Sequence, residues 1–280
     1  MKNVWGWEIP RVEDVIVRDD LHDLMRGVTE RILGAIGQKT VSHEVFELLV
    51  NEKSNRPVVE LEKLLHDKIV RQSEAERELH DGMRNRANII FSQIAKYLVG
   101  DSLADVGCGH GLVSWAARDR FKDILLLDIL DYRDPDVSLP FRMYSQTDAP
   151  PFERSFDCTL LITVLHHAIA PLELLKIVWG CTRQRLIIIE SVFGVTGKST
   201  DSPLPQFDTP TQLCYAVFCD WFYNRVLNQD VSVPYNFNTP EKWREIFRKL
   251  PATIAAEADL GVDLDIVPEH HFIFVLDRAA

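Results

Sequence analysis

Leu103-Ala-Asp-Val-Gly-Cys-Gly-His-Gly-Leu-Val-Ser-Trp-Ala-Ala117 is the stretch on which the fold turns. An apolar run ends in Asp105, glycines follow at alternate positions (Gly107, Gly109, Gly111), and helical spacing begins directly after them. A strand, a tight turn and a helix start in that order leave bare backbone N–H groups beside a ligand. A second apolar run, Ile124-Leu-Leu-Leu-Asp128, ends in a carboxylate 23 positions beyond Asp105. At that separation nucleotide-binding sheets place an acid on ribose hydroxyls. The spacing therefore predicts a nucleoside pocket.

Outward from this stretch, helical patterns alternate with short apolar runs from Asn88 onward, which predicts parallel βαβ units and an α/β fold. Strands are expected at 103–106, 124–128, 141–144, 157–163, 185–190, 253–259 and 270–276. The helices between them are expected at 111–119, 171–180 and 240–249. No helical pattern separates the second and third strands. The last strand reads as an antiparallel edge member of a mostly parallel, seven-stranded, Rossmann-like sheet. Between Val192 and Pro240 lies an insertion rich in Pro, Thr and aromatics, with an aromatic helix over 213–227. Its place after the fifth strand makes it a candidate substrate lid.

Residues 1–85 read as a helical extension, with the sheet domain spanning 86–280 and its insertion about 192–240. Asp19 and Asp20 can cap a helix whose Leu21, Leu24, Met25, Val28, Ile32 and Ile36 follow a 3.6 period up to Gly37. Ser42 is the expected cap of a second helix, and Pro57 opens a third. The charged stretch 71–86 either continues that helix or forms a connector. A further helix, carrying Ile90, Ile94, Tyr97 and Leu98, should end at Gly100.

A net charge of −11, with 46% hydrophobic and 26% charged residues, is that of an ordinary globular chain and makes nucleic acid an unfavoured partner. Five cysteines, odd in number and without a CxxC pair, suggest reduced thiols and a cytoplasmic location. No apolar signal region begins the chain, and no window approaches the roughly 20 apolar residues of a membrane span. With neither HExxH nor clustered ligands, no metal is expected.

Several fragments in this order and spacing resemble the class I S-adenosylmethionine-dependent methyltransferases. They are Asp105-Val-Gly-Cys-Gly-His-Gly111, Asp128, Thr147-Asp-Ala149 before Ser155-Phe-Asp157, the run 156–167 ending in His166-His167, and Arg185-Leu-Ile-Ile-Ile-Glu190. The resemblance covers roughly residues 86–191 and implies S-adenosyl-L-methionine as cofactor. On it, Gly107 and Gly109 face the methionine moiety and ribose, with Cys108 filling the turn and Thr163 close by. Asp105 holds the ammonium, or alternatively caps the following helix. Asp128 takes the ribose hydroxyls, with Asp131 as its rival, and Ile129 packs on adenine. Asp148 and Ala149 meet the adenine amino group, unless Asp148 is a turn residue.

Methyl transfer from a sulfonium needs positioning and, for a hydroxyl acceptor, removal of a proton. His166 and His167 are the candidate bases. Adjacent strand residues face opposite ways, so sequence does not choose between them. Glu190 is a weaker candidate, with a salt-bridged or capping role as its alternative. Tyr215, Asp220, Trp221, Tyr223 and Asn224, with Phe218 and Phe222, are candidates for an acceptor pocket in the insertion.

The expected activity is methylation of a small, partly apolar metabolite, with oxygen favoured slightly. Alternatives are a protein or RNA methyltransferase and a non-catalytic module of the same fold. A nicotinamide oxidoreductase fits worse, because Leu112 stands where GxGxxG requires its third glycine. Three roles are open to the amino-terminal helices: capping the site, a homodimer contact, or docking a partner.

Overall fold

The structure, a computed structural model, describes residues 2–70, 75–144, 155–197, 202–228, 231, 233–262, 264 and 266–278. The first five helices are α1 (Val12–Ile16), α2 (His22–Ala35), α3 (Lys39–Glu52), α4 (Val58–Val70) and α5 (Ala75–Ile94). There follow β1 (Ser102–Val106), α6 (Leu112–Ala116), β2 (Asp123–Asp128), β3 (Phe141–Met143) and β4 (Phe156–Ile162). The chain continues through α7 (Pro171–Cys181), β5 (Thr182–Ser191), α8 (Thr209–Trp221), α9 (Pro240–Phe247), β6 (Ala252–Gly261) and β7 (His271–Arg278). No helix among the described residues is long and apolar enough to cross a membrane.

Contacts divide the chain into two compact units. One comprises Met1–Arg84, Val192–Phe237 and Gly261–His270; the other comprises Asn85–Ser191, Asn238–Leu260 and His271–Ala280. The second carries the seven-stranded sheet, in the order β3-β2-β1-β4-β5-β7-β6. β1 through β5 pair in parallel. Every residue of β1 and β4 is buried, as expected for strands covered on both faces. The order reverses between β1 and β4, and the carboxyl ends of strands flanking such a reversal are where open α/β sheets bind ligands.

The last strand is antiparallel, as its sequence suggested, but it is not an edge: β7 pairs with β5 and separates it from β6. The apolar run Phe272–Leu276 is buried throughout. β6 takes the edge, and the alternating exposure of its residues reflects one open face. The helix expected at 111–119 is α6 followed by a 3-10 turn over Arg118–Arg120.

The first unit is helical. α2 packs on α3 and α3 on α4, while α8 lies against α1 and α2 and its extension lies against α4. From Gln212 to Trp221 every residue of α8 is buried, which makes it a central helix rather than an amphipathic surface one. Asp208 caps it, accepting from the Thr211 amide at 2.9 Å. After Trp221 the helix widens into a π-helical turn, Phe222–Leu227.

Three amino-terminal expectations change. Asp19 and Asp20 lie in a 3-10 turn, and no side chain caps α2. Ser42 is inside α3, where its hydroxyl donates to the Lys39 carbonyl at 2.7 Å. Gly37, at φ 70, turns the chain so sharply that α3 starts directly at Lys39. The charged stretch is helical from Ala75, where α5 runs as one twenty-residue helix, and its first four positions, 71–74, lie outside the described residues. Met83, Ala87, Ile90 and Ile94 form a buried stripe along it.

Candidate active site

The turn after β1 is held by the neighbouring strand: the Gly107 and Cys108 amides donate to the Leu127 carbonyl at 2.8 and 3.1 Å. Gly107, Gly109 and Gly111 lie at φ 71, 53 and 70, in the left-handed region where a side chain is strained. Their surroundings differ. A Cβ on Gly107 would stand 2.6 Å from a Val164 methyl, and one on Gly111 would stand 2.8 Å from Leu126 Cδ1. A Cβ on Gly109 would meet only the Tyr132 ring, at 4.0 Å. Gly107 and Gly111 therefore let the turn pack against the sheet, and Gly109 leaves open space beside bare backbone.

One carboxyl group borders that space, and a second, Asp105, lies buried within electrostatic reach of the first. Asp128, at the end of β2, accepts from the Gly109 amide at 2.8 Å on one oxygen and from the Ile129 amide at 2.7 Å on the other. The Tyr132 hydroxyl approaches it at 3.4 Å. Burial raises its pKa above the usual carboxylate range, opposed by the Gly109 and Ile129 amides. The oxygen bonded to Gly109 keeps a lone pair, and the other is shared by Ile129 and the long Tyr132 contact, so Asp128 can accept at least one further hydrogen bond. Its rival Asp131 is exposed and is taken by Arg133, at 2.8 and 2.9 Å.

Asp105, at 2% exposure, accepts from Ser114 Oγ of α6 at 2.7 Å. Burial pushes its pKa up to about 7; the Ser114 bond opposes this and the Asp128 charge adds to it. A buried carboxyl poised at neutral pH is suited to a cationic partner. Burial also raises the Cys108 thiol, so it stays protonated and fills the turn.

The end of β4 presents the histidines. Thr163 sits at φ 56, uncommon for a β-branched residue, with its amide on the Ile189 carbonyl at 2.7 Å. The chain then turns through Val164 and Leu165, whose amides donate to Glu190 Oε1 at 3.1 and 2.7 Å. The second Glu190 oxygen meets His166 Nδ1 at 2.7 Å, and both side chains are buried. Burial raises Glu190 to about 7, with the Leu165 amide and His167 pulling it down. Glu190 thus orients His166 and ties down the turn after β4. His167 is half-buried, its ring centroid 4.1 Å from that of His166.

The candidate acceptor residues are buried in the helical unit. The Tyr215 hydroxyl donates to the Pro268 carbonyl at 2.6 Å, and the Trp221 indole N–H donates to Glu62 at 2.8 Å. Tyr223 OH meets Met83 Sδ at 2.9 Å, and Asn224 Nδ2 donates to Asp220 at 2.5 Å. Asp148 and Ala149 lie outside the described residues.

Sequence reasoning missed Ser114, Val164 and the pairing of Glu190 with His166. Only Ser114 left a signal, as a hydroxyl in the first turn after the glycines. The others depend on which strand and helix ends meet.

No known family profile matches the chain, and no curated protein matches it in sequence. Solved structures do share its fold. Geranyl diphosphate C-methyltransferase from Streptomyces coelicolor A3(2), solved with Mg2+, geranyl diphosphate and S-adenosyl-L-homocysteine, is 12% identical with a TM-score of 0.50; the match covers 74% of this chain and 85% of that one. Human N-acetylserotonin methyltransferase, in complex with SAM, is 14% identical with a TM-score of 0.49, covering 89% of this chain and 70% of that one. Magnesium protoporphyrin IX methyltransferase from Synechocystis PCC 6803, with bound SAM, is 13% identical with a TM-score of 0.44, covering 72% and 82%. With its strand order, its antiparallel β7 and the glycine turn after β1, the chain has the class I S-adenosylmethionine-dependent methyltransferase fold.

Proposed function

We propose that this protein transfers a methyl group from S-adenosyl-L-methionine to a small, partly apolar acceptor, with oxygen the favoured target. The observation that carries the reading is the crevice beside Gly109, with Asp128 and Asp105 at the ends of adjacent parallel strands. A Cβ at 109 would project into this space, and the two carboxyl groups offer acceptors for hydroxyl and ammonium donors. These residues fit the cofactor. Asp128 would take the ribose hydroxyls, Asp105 the ammonium, Gly107 and Gly109 the chain between them, and Ile129 one face of the adenine. A neighbour of the same fold holds the demethylated cofactor together with an isoprenoid diphosphate, a small acceptor with a large apolar part.

When bound, the cofactor supplies a methyl group already activated on a sulfonium. The chain then has to exclude water, align the acceptor and, for a hydroxyl, remove one proton. With Glu190 ionised, His166 donates its Nδ1 hydrogen to it and keeps the lone pair on Nε2. That makes His166 a positioned proton acceptor, with His167 as the alternative. The acceptor contacts are assigned to Tyr223 and Asn224 together with Asp220. Tyr223 and Asn224 lie in the π-helical turn, a geometry frequent at functional sites. Tyr215 and Trp221 serve the helical core.

Calorimetry with S-adenosylmethionine, S-adenosylhomocysteine and NAD tests the reading. The first two should bind and NAD should not. Binding of NAD, or of none of the three, overturns it.

A further inference from the structure

The two edges of the sheet are not alike. β3 closes one side with three residues, whereas β6 closes the other with ten, and no proline interrupts Ala252–Gly261. Among the described residues, nothing outside the sheet hydrogen-bonds to the backbone between Thr253 and Ala258. Along an edge strand, alternate residues turn their N–H and C=O groups away from the one neighbouring strand, so β6 presents a row of unpaired backbone groups. Thr253, Ala255, Glu257 and Asp259 are exposed along it. An edge this long, built largely of small residues, is a template for a further strand.

The charges beside that edge decide what fits it. Arg248 and Lys249 stand just before the strand, exposed and without a partner among the described residues. Arg248 lines a groove there with Ala252, Ile254 and Glu257. The carboxyl half of the strand carries Asp259 and Glu257, whose two oxygens accept from Arg244 Nε at 3.0 and 2.8 Å. A strand preceded by cations and ending in acids is complementary to itself when laid antiparallel. We infer that β6 pairs antiparallel with β6 of a second copy of this chain, about a twofold axis at Ala255, joining the two sheets into one. That register pairs Pro251 through Asp259. Ala255 faces its own copy, Thr253 faces the partner's Glu257, and Asp259 faces the partner's Pro251, beside the partner's Lys249. No two carboxylates meet. An axis at Glu257 or Ala258 would set Glu257 opposite itself or opposite Asp259, and a parallel pairing in register would stack each acid on its own copy. The twofold also closes after two copies, so the edge is covered and does not propagate.

Analytical ultracentrifugation of the full chain reads the association, with Ala255→Lys and Ala255→Glu as probes. The unaltered protein should form a dimer in the micromolar range. At the twofold axis either new charge faces its own copy, so the dissociation constant of each variant alone should rise by about tenfold or more. An equal mixture of the two should recover the dimer, because opposite charges then meet. Ala255→Cys gives a second reading that needs no charge. Mild oxidation should join two copies through that position, whereas the unaltered chain, whose five cysteines are buried or half-buried, should stay unlinked. A chain that remains monomeric overturns the assignment. So does a dimer that both charged variants leave intact, which would point to another surface such as the amino-terminal helices, or a mixture that recovers nothing.

Discussion

Gly107→Ala and Gly109→Ala make the same chemical change two residues apart, and the structure gives them different consequences. Both place an L-residue in the left-handed region, at roughly 1–2 kcal/mol each. At 107 the new methyl also lands 2.6 and 2.9 Å from the two Val164 methyl carbons, and overpacking of this kind adds about 1–3 kcal/mol. The expected loss of stability is therefore about 2–5 kcal/mol for Gly107→Ala and about 1–2 kcal/mol for Gly109→Ala. Urea unfolding measures both, and Gly107→Ala/Val164→Ala should recover the steric share but not the backbone share. Binding should run the other way. The alanine methyl at 109 has only the Tyr132 ring within 4.0 Å and projects into the crevice, so calorimetry with S-adenosylhomocysteine should show a loss of more than about tenfold, over 1.4 kcal/mol. If Gly107→Ala is no less stable than Gly109→Ala, or if trimming Val164 recovers nothing, the account of the turn is refuted.

Other outcomes follow from the carboxyl groups. Asp128→Ala should weaken S-adenosylhomocysteine binding by about 1.5–3 kcal/mol, one charge-assisted interaction; an unchanged Kd would remove Asp128 from the ribose. Because burial raises Asp105 to about 7, the ammonium must find it deprotonated, so affinity should rise about tenfold from pH 6 to pH 8. Asp105→Asn should flatten that profile, and a slope that survives would assign it to Asp128 or to Glu190. Without cofactor, the raised pKa values of Asp105 and Glu190 contribute stability that is full below about pH 4 and lost as pH rises through about 7. Thermal melts against pH, with and without ligand, separate the two effects. Asp157 has the opposite sign. Burial raises its pKa, but the Asp101 amide, Arg183 and Ser102 outweigh burial and hold it at about 2. Its contribution is present above about pH 4 and lost as pH falls through 2. Asp157→Ala should cost about 1–3 kcal/mol for each buried donor left without its acceptor, among them the Ser102 amide and hydroxyl. An acid-unfolding midpoint that does not move would show that this cluster is idle.

The sheet and the two strand-end carboxylates were readable because their signals are local. An apolar run ended by Asp105 or Asp128 is a buried strand with its chemistry at the carboxyl end, and alternate glycines mark a turn that only they can take. The pairing of Glu190 was not readable. Glu190 meets His166 because β4 and β5 pair Ile162 with Ile189, a register no spacing reveals. The start of α5 was hidden in a charged stretch whose helical period is visible only on the buried face, at Met83, Ala87 and Ile90. The aromatic insertion kept its secret for a related reason. Tyr215 and Trp221 look like pocket residues, but their polar ends are engaged by Pro268 and Glu62, partners distant in sequence.

α8 carries a further consequence for how the chain comes to be folded. Val70 ends α4 and Thr209 opens α8, an interval that takes roughly 7–30 s to synthesise at ~5–20 residues per second. Throughout that interval the helices already made lack the segment that buries their inner faces, while the parallel strands emerge beside them. A ribosome stalled before Thr209 would display greasy, unsealed helices, a natural substrate for chaperones.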